Sequence, residues 1–390
     1  MSLSTLPLSY CTNVHPGKTV EEIASGLTSF TIPARQQLGE RIAAGLWLPA
    51  SAISQIEEDS SKISQLQDVL NEGELVCYTL NTFPYGNFHS ERVKEQVYLP
   101  DWTTQERLDY TISCANVLSE LMPDGTEGSL STVPLGFKGF ERPSDFDGQC
   151  IQKLLQLAEH LDRLHDETGK VIRLAIEPEP LCVLETTPET IQFFEKLFTQ
   201  AESQGLDQIA RRHLGVCYDV CHQAVEFEDT AKSIEDLTAK GIRINKVHIT
   251  CAIDVKSPWE RPAAREQLKQ FVEQRYLHQS FARSASGIVS VTDLSADLCD
   301  NPPEDFQNAD AWRIHFHVPV DAEAIGELGT TRPDLEKALS AVAKLDYAPH
   351  LEVETYTWNV LPGERDIPLV EGLVGELRAT RELLKRIGSD

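Results

Sequence analysis

Five short stretches of the chain alternate apolar and polar side chains with the two-residue period of a half-buried strand: 171–177, 214–219, 246–250, 313–317 and 351–354. Alternate residues of a strand share a face. The polar faces here carry Glu177, Asp219, His248, His315 with His317, and Glu352 with Glu354. If the strands stand side by side in a closed barrel, these groups converge. Carboxylates and imidazoles meeting from separate strands make a divalent-metal site.

The remaining pattern alternates strand-like and amphipathic helical runs, which predicts a parallel α/β architecture. Strands are expected over 8–14, 42–48, 75–80 and 129–135, then at the five stretches above. Helices are expected from Thr19, over 51–70, 104–121 and 150–164, from Thr187, and over 333–343 and 368–387. Pro188 falls where a first helical turn accepts proline. A long segment, 81–103, is too rich in aromatics for disorder and reads as a functional loop. The rhythm breaks between 254 and 311, where Pro258 and Pro262 interrupt the chain and 276–281 could pair with 287–292 as a hairpin. This region reads as an insertion before the last strand of a single barrel domain spanning 1–390. The count gives nine strand candidates, one more than an eight-stranded barrel takes, so the Arg313 run either belongs to the insertion or adjoins the seventh strand.

With 390 residues, 41% apolar, the chain can bury a large core. A formal charge of −26 repels phosphate backbones and anionic lipid, so nucleic acid and membrane are poor partners. No apolar run approaches the roughly 18 residues of a membrane span. The first residues lack the basic and apolar regions of a signal peptide. Nine scattered cysteines then read as reduced thiols in a cytoplasmic protein. Cys217-Tyr-Asp-Val-Cys221-His222 has one residue too many for a haem-attachment motif and lies in a strand-like run, so no haem is expected.

The order strand-Glu177, Asp219-Val-Cys-His222, strand-His248, strand-Glu354 resembles the xylose isomerase-like TIM barrels, which include sugar isomerases, epimerases and endonuclease IV. Closer motifs are Ser9-Tyr-Cys-Thr-Asn-Val-His-Pro-Gly17, Phe83-Pro-Tyr-Gly-Asn-Phe-His89, Leu174-Ala-Ile-Glu-Pro-Glu-Pro180, His315-Phe-His-Val-Pro319 and Leu351-Glu-Val-Glu-Thr-Tyr-Thr-Trp358. They resemble the EboE family, sugar-isomerase-like metabolite traffic proteins of bacterial secondary-metabolite clusters. The resemblance implies a catalytic-looking barrel. It also implies Gln on the seventh strand where this chain has His248, which makes the His315/His317 pair the alternative source of imidazole.

TIM-barrel sites lie at the C-terminal strand ends, where Glu177, Asp219 and Glu354 fall. The expected metal ligands are Glu177, Asp219, His248, His317 and Glu354, with Mn, Mg, Co or Zn as the ion. Glu177 and Glu354 are the expected proton-transfer pair of an isomerase or epimerase acting on a sugar- or cyclitol-like metabolite. His15, His89, His222, Tyr85 and Trp102 are candidate substrate contacts, and Glu179, Glu185 and Glu352 are spare carboxylates. A hydrolase or lyase on the same barrel and a non-catalytic metabolite binder are the alternatives. The bland reading of the same residues is a set of charged strand ends facing solvent or basic partners.

Overall fold

The computed structural model describes residue 3 and residues 6–362 and 367–388. Seven parallel strands come first: β1 (Ser9–Cys11), β2 (Ala43–Trp47), β3 (Thr79–Asn81), β4 (Gly128–Thr132), β5 (Ile172–Ile176), β6 (Leu214–Asp219) and β7 (Ile244–Ile249). A second set follows: β8 (Cys251–Lys256), β9 (Ser280–Ser284), β10 (Gly287–Val291), β11 (Ala311–Val318), β12 (Ala324–Ile325) and β13 (Leu328–Thr330). The last strand is β14 (His350–Val353). β14 pairs with β7 on one side and β1 on the other, closing an eight-stranded barrel in the order β1-β14-β7-β6-β5-β4-β3-β2.

Alternation decides what each strand sends inward. Outward Leu174, Ile176, Val247, Leu351 and Val353 belong to the main apolar core shared with the surrounding helices. Inward positions are polar and stacked in layers: Ser129 and His350, then Lys246, Ser131 and Glu352, then Asp219, His248 and the carboxylates that follow β5 and β14. The helices between strands are locally specified. Thr186 caps Thr187–Ser203 in a capping box with Glu189, and Pro188 sits in its first turn. The helical run expected over 51–70 is two helices, Ala50–Glu58 and Ser61–Glu72, broken at Asp59 and Ser60.

The ninth strand candidate lies outside the barrel. β8 follows β7 after Thr250 alone and joins an antiparallel sheet ordered β10-β9-β11-β8-β13-β12. This sheet runs from Cys251 to Thr330, so both of its ends lie beyond 254–311. The Arg313 run is its strand β11, paired with β8 and β9. A hairpin is present between β9 and β10, with Ala282 opposite Val289, later in the chain than the expected first strand at 276–281. The segment 81–103 lies against this excursion: the backbone N–H groups of Val93 and Lys94 both donate to the carbonyl of Arg275.

Candidate metal centre

Strand register brings the inward groups level. Asp219 on β6 pairs with His248 on β7, and His248 pairs with Glu352 on β14. Glu177 and Glu354 come one residue after β5 and β14. One donor atom from each of Glu177, Asp219, His248 and Glu354 lies within 4.8 Å of the other three, and all four residues are buried. His248 Nδ1 lies 2.8 Å from Glu177 Oε1, 3.2 Å from Glu354 Oε2 and 3.6 Å from Asp219 Oδ2.

Each of two carboxylates is anchored by one oxygen. Asp219 Oδ1 accepts the Thr250 hydroxyl at 2.6 Å and the His222 backbone N–H at 3.1 Å, while Oδ2 has no hydrogen-bond partner. That backbone bond also caps the short helix Val220–Val225, which is why His222 falls beside Asp219. Glu354 Oε1 accepts the Nδ2 groups of Asn13 and Asn81 at 2.8 and 2.9 Å, leaving Oε2 toward His248. Beneath them Lys246 Nζ pairs with Glu352 Oε1 at 2.6 Å, and Ser9 donates to Glu352 Oε2 at 2.7 Å. His248 Nε2 is 3.3 Å from Glu352 Oε1, close enough for charge attraction but not aligned as a hydrogen bond.

The charges of this cluster suit a divalent cation. Burial alone would depress His248, yet Cys217, Glu177 and Glu354 outweigh it and raise it well above the ordinary value. Burial, joined by the Glu177 charge, raises Glu354 despite the nearby His248. Several carboxylates this close repel one another unless positive charge joins them, and a divalent ion would supply it. The unpartnered Asp219 Oδ2 and the donor set of three carboxylates and one imidazole suit a hard or borderline ion.

A second group adjoins the first. β11 sends His315 and His317 toward the barrel mouth, where their rings lie 4.6 and 5.7 Å from His222. Each of the three imidazoles has its Nδ1 on an acceptor: Pro178 O for His222, Gln279 Oε1 for His315 and Glu354 O for His317. A carbonyl only accepts, so Nδ1 carries the proton and, in a neutral ring, Nε2 keeps its lone pair. Nε2 of His315 and of His317 is buried and unpartnered. Burial keeps both rings below the ordinary histidine value, while His222, flanked by Asp219, Glu179 and Glu177, is raised against its burial. Metal-capable groupings here are Asp219 with His222 and His317, and Glu179 with His222 and His315.

The two imidazole sources weighed from sequence are therefore both at the mouth: His248 within the carboxylate group, His317 beside it with Nε2 3.9 Å from Asp219 Oδ2. Of the substrate candidates, His222 lines the pocket above these groups. The other four lie elsewhere, because tertiary packing engages them. His15 is stacked on Phe30 and bonded to the Tyr10 hydroxyl. His89 bonds the Asn13 carbonyl and packs near Trp47. Trp102 is fully buried with Nε1 on Thr132, and Tyr85 packs edge-on against Tyr110. Of the spare carboxylates, Glu352 is the partner of Lys246 and Glu185 the partner of Lys138. Glu179 lines the pocket, and burial pushes its carboxyl up to about 7. Asn13 and Asn81 are site residues that the strand pattern does not single out. Their signal was faint: each lies two residues from an inward strand position, on the same face.

No family model and no curated protein matches the chain. Among solved structures, a xylose isomerase-like TIM barrel protein from Mycobacterium smegmatis, crystallised in complex with magnesium, has a TM-score of 0.56 at 11% identity, covering 100% of this chain and 99% of that one. The IOLI protein with a bound zinc atom has a TM-score of 0.51 at 12% identity, covering 99% and 100%. A D-tagatose 3-epimerase-like protein has a TM-score of 0.51 at 12% identity, covering 98% and 99%. With the closed eight-stranded order, these likenesses show the fold: the chain folds as a TIM barrel similar to that of xylose isomerase-like proteins.

Proposed function

We propose that this protein is a metal-dependent isomerase or epimerase acting on a small sugar- or cyclitol-like metabolite with a carbonyl next to a hydroxyl. The observation that carries the reading is the convergence of Glu177, Asp219, His248 and Glu354 from four strands, with one oxygen of Asp219 and of Glu354 anchored and the other turned inward. These four side chains would hold a divalent ion, Mn, Mg, Co or Zn. Such an ion polarises a carbonyl and offsets the charge that develops on its oxygen. Glu177 and Glu354 directly follow β5 and β14, which stand three strands apart around the barrel. One removes the proton beside the carbonyl and the other returns it. Asn13 and Asn81 fix the Glu354 carboxylate for that transfer. His222 and Glu179 face the pocket as groups able to hold a substrate oxygen.

Kinship with the EboE proteins, and with it a role in secondary-metabolite biosynthesis or traffic, rests on the five sequence motifs given above. All nine cysteines are free and buried, which supports a cytoplasmic setting. A metal-dependent hydrolase or lyase is the second reading. It is favoured by the groupings of Asp219 with His222 and His317 and of Glu179 with His222 and His315, two imidazoles and a carboxylate that would suit a borderline ion able to activate water.

Metal analysis of the purified protein, followed by incubation with candidate ketoses in deuterated water, tests the proposal. The expected result is bound divalent metal and deuterium at the carbon beside the carbonyl, lost in Glu177→Gln and Glu354→Gln. Bound metal with hydrolysis and no exchange supports the second reading. Neither metal nor exchange leaves a carrier protein.

A further inference from the structure

The pocket above the metal-ligand groups is divided by polarity. Its floor is polar: Glu177, Glu179, Glu354, His222, His315 and His317. Unpartnered polar atoms collect there, among them Glu179 Oε2, His315 Nε2, His317 Nε2 and, beside Glu354, Asn13 Oδ1. The walls come from elsewhere in the fold, namely the segment 81–103 and residues 276–277 of the excursion, and they are mostly apolar. Phe83, Phe88, Val93, Val97, Tyr276 and Leu277 line them. The rings are fixed against one another: Phe88 lies 4.8 Å from Tyr276 and 5.3 Å from Tyr356, and Tyr276 lies 4.9 Å from Tyr356.

Most of the polar atoms on those walls, those of Tyr98, Lys94 and Asn81, are already engaged. The Tyr98 hydroxyl donates to Glu179 Oε1 at 2.6 Å. Lys94 lines the pocket, but its ammonium is tied to the carbonyls of Glu273 and Tyr276 and to Asp293, at 3.0, 2.7 and 2.6 Å. Asn81 spends Nδ2 on Glu354 and Oδ1 on the Phe83 backbone N–H. A polyhydroxylated chain rising from the floor would lose water from its hydroxyls and meet rings and aliphatic side chains in return. Each hydroxyl so stranded weakens binding by about tenfold or more.

We propose that the substrate of this site is amphipathic: a hydroxy-carbonyl head that meets the metal-ligand groups, joined to an apolar body, aromatic or alicyclic, that lies against the wall formed by Phe83, Phe88, Val97 and Tyr276. This rests on the metal-dependent reading above and narrows its substrate class. Only the head need be sugar- or cyclitol-like.

Three hydroxamates with one chelating head and different bodies test it on the full chain loaded with Mn²⁺: acetohydroxamate, benzohydroxamate and gluconohydroxamate, each titrated by calorimetry. Metal content is measured first, and a chain that binds no divalent ion overturns the parent reading and this one together. With metal bound, benzohydroxamate is expected to bind about ten- to a hundredfold tighter than acetohydroxamate, with gluconohydroxamate no tighter than acetohydroxamate. Phe88→Ala should erase most of the benzohydroxamate advantage over acetohydroxamate, and the variant's Mn²⁺ content, measured in the same way, reports whether the metal centre is intact. Equal affinities, a preference for gluconohydroxamate, or no hydroxamate binding by the metal-loaded chain overturns the amphipathic substrate and leaves the metal centre standing.

Discussion

Lys246 and Glu352 lie without exposed surface in the middle layer of the barrel, Nζ 2.6 Å from Oε1. Burial would favour the neutral forms, yet Lys246 is held above its ordinary value by Glu352, and Glu352 is pulled down to about 2, chiefly by Lys246. The pair therefore stays ionised in the folded protein. Gly45 on β2 makes this possible by its size, because a Cβ there would overlap the Glu352 carboxylate and crowd the Ser9 hydroxyl. Removing one partner strands the other charge. Lys246→Met should cost about 3–5 kcal/mol of stability in urea unfolding, with Lys246→Met/Glu352→Gln recovering a large part of it. If the single substitution is neutral, the pair does not balance the interior as described.

β11 shows how an element outside the barrel completes its mouth. His315 and His317 face the pocket, and Phe316 between them turns the other way, packed against Phe271 and His278 with ring centroids 5.0 and 4.6 Å away. Phe316→Ala should cost about 3–5 kcal/mol in denaturant unfolding, since the ring is fully buried. A cost under about 1 kcal/mol would mean that β11 is not held by this packing. The same strand marks the limit of what the chain's pattern discloses. Glu177, Asp219, His248 and Glu354 were legible because a two-residue period ties each to the inward face of a strand end. β11 has that period too, so its membership in a second, antiparallel sheet was invisible; the alternation is the same in both settings. The segment 81–103 was legible as ordered and aromatic. Which of its rings reach the pocket was not, because Trp102 is drawn into the core and half-buried Tyr85 onto Tyr110, while Phe83 and Phe88 line the pocket.

Across the whole molecule, buried histidines set the acid limit. Burial lowers His15 to about 3, helped by His89, and lowers His350 to about 3, helped by Lys246. Both folded values lie below the unfolded value near 6.5, so the unfolded chain takes up a proton first as pH falls. Their contribution is fully present above about pH 6.5 and is lost progressively toward pH 3, at about 1.4 kcal/mol per pH unit for each histidine. In His350→Gln the slope of unfolding free energy against pH between 4 and 6 should fall by about one proton. An unchanged slope would show that His350 is charged in the folded state. Acidification also protonates the carboxylates of the mouth, so metal is expected to leave before the barrel unfolds. The claim on which all of this turns is that one cation sits among groups from four strands. Anomalous diffraction from crystals grown with Mn²⁺ tests it most directly. The account predicts a single strong peak about 2.0–2.3 Å from oxygens of Glu177, Asp219 and Glu354 and from a nitrogen of His248. The absence of such a peak, or an ion bound without Glu177 and Glu354, would contradict it.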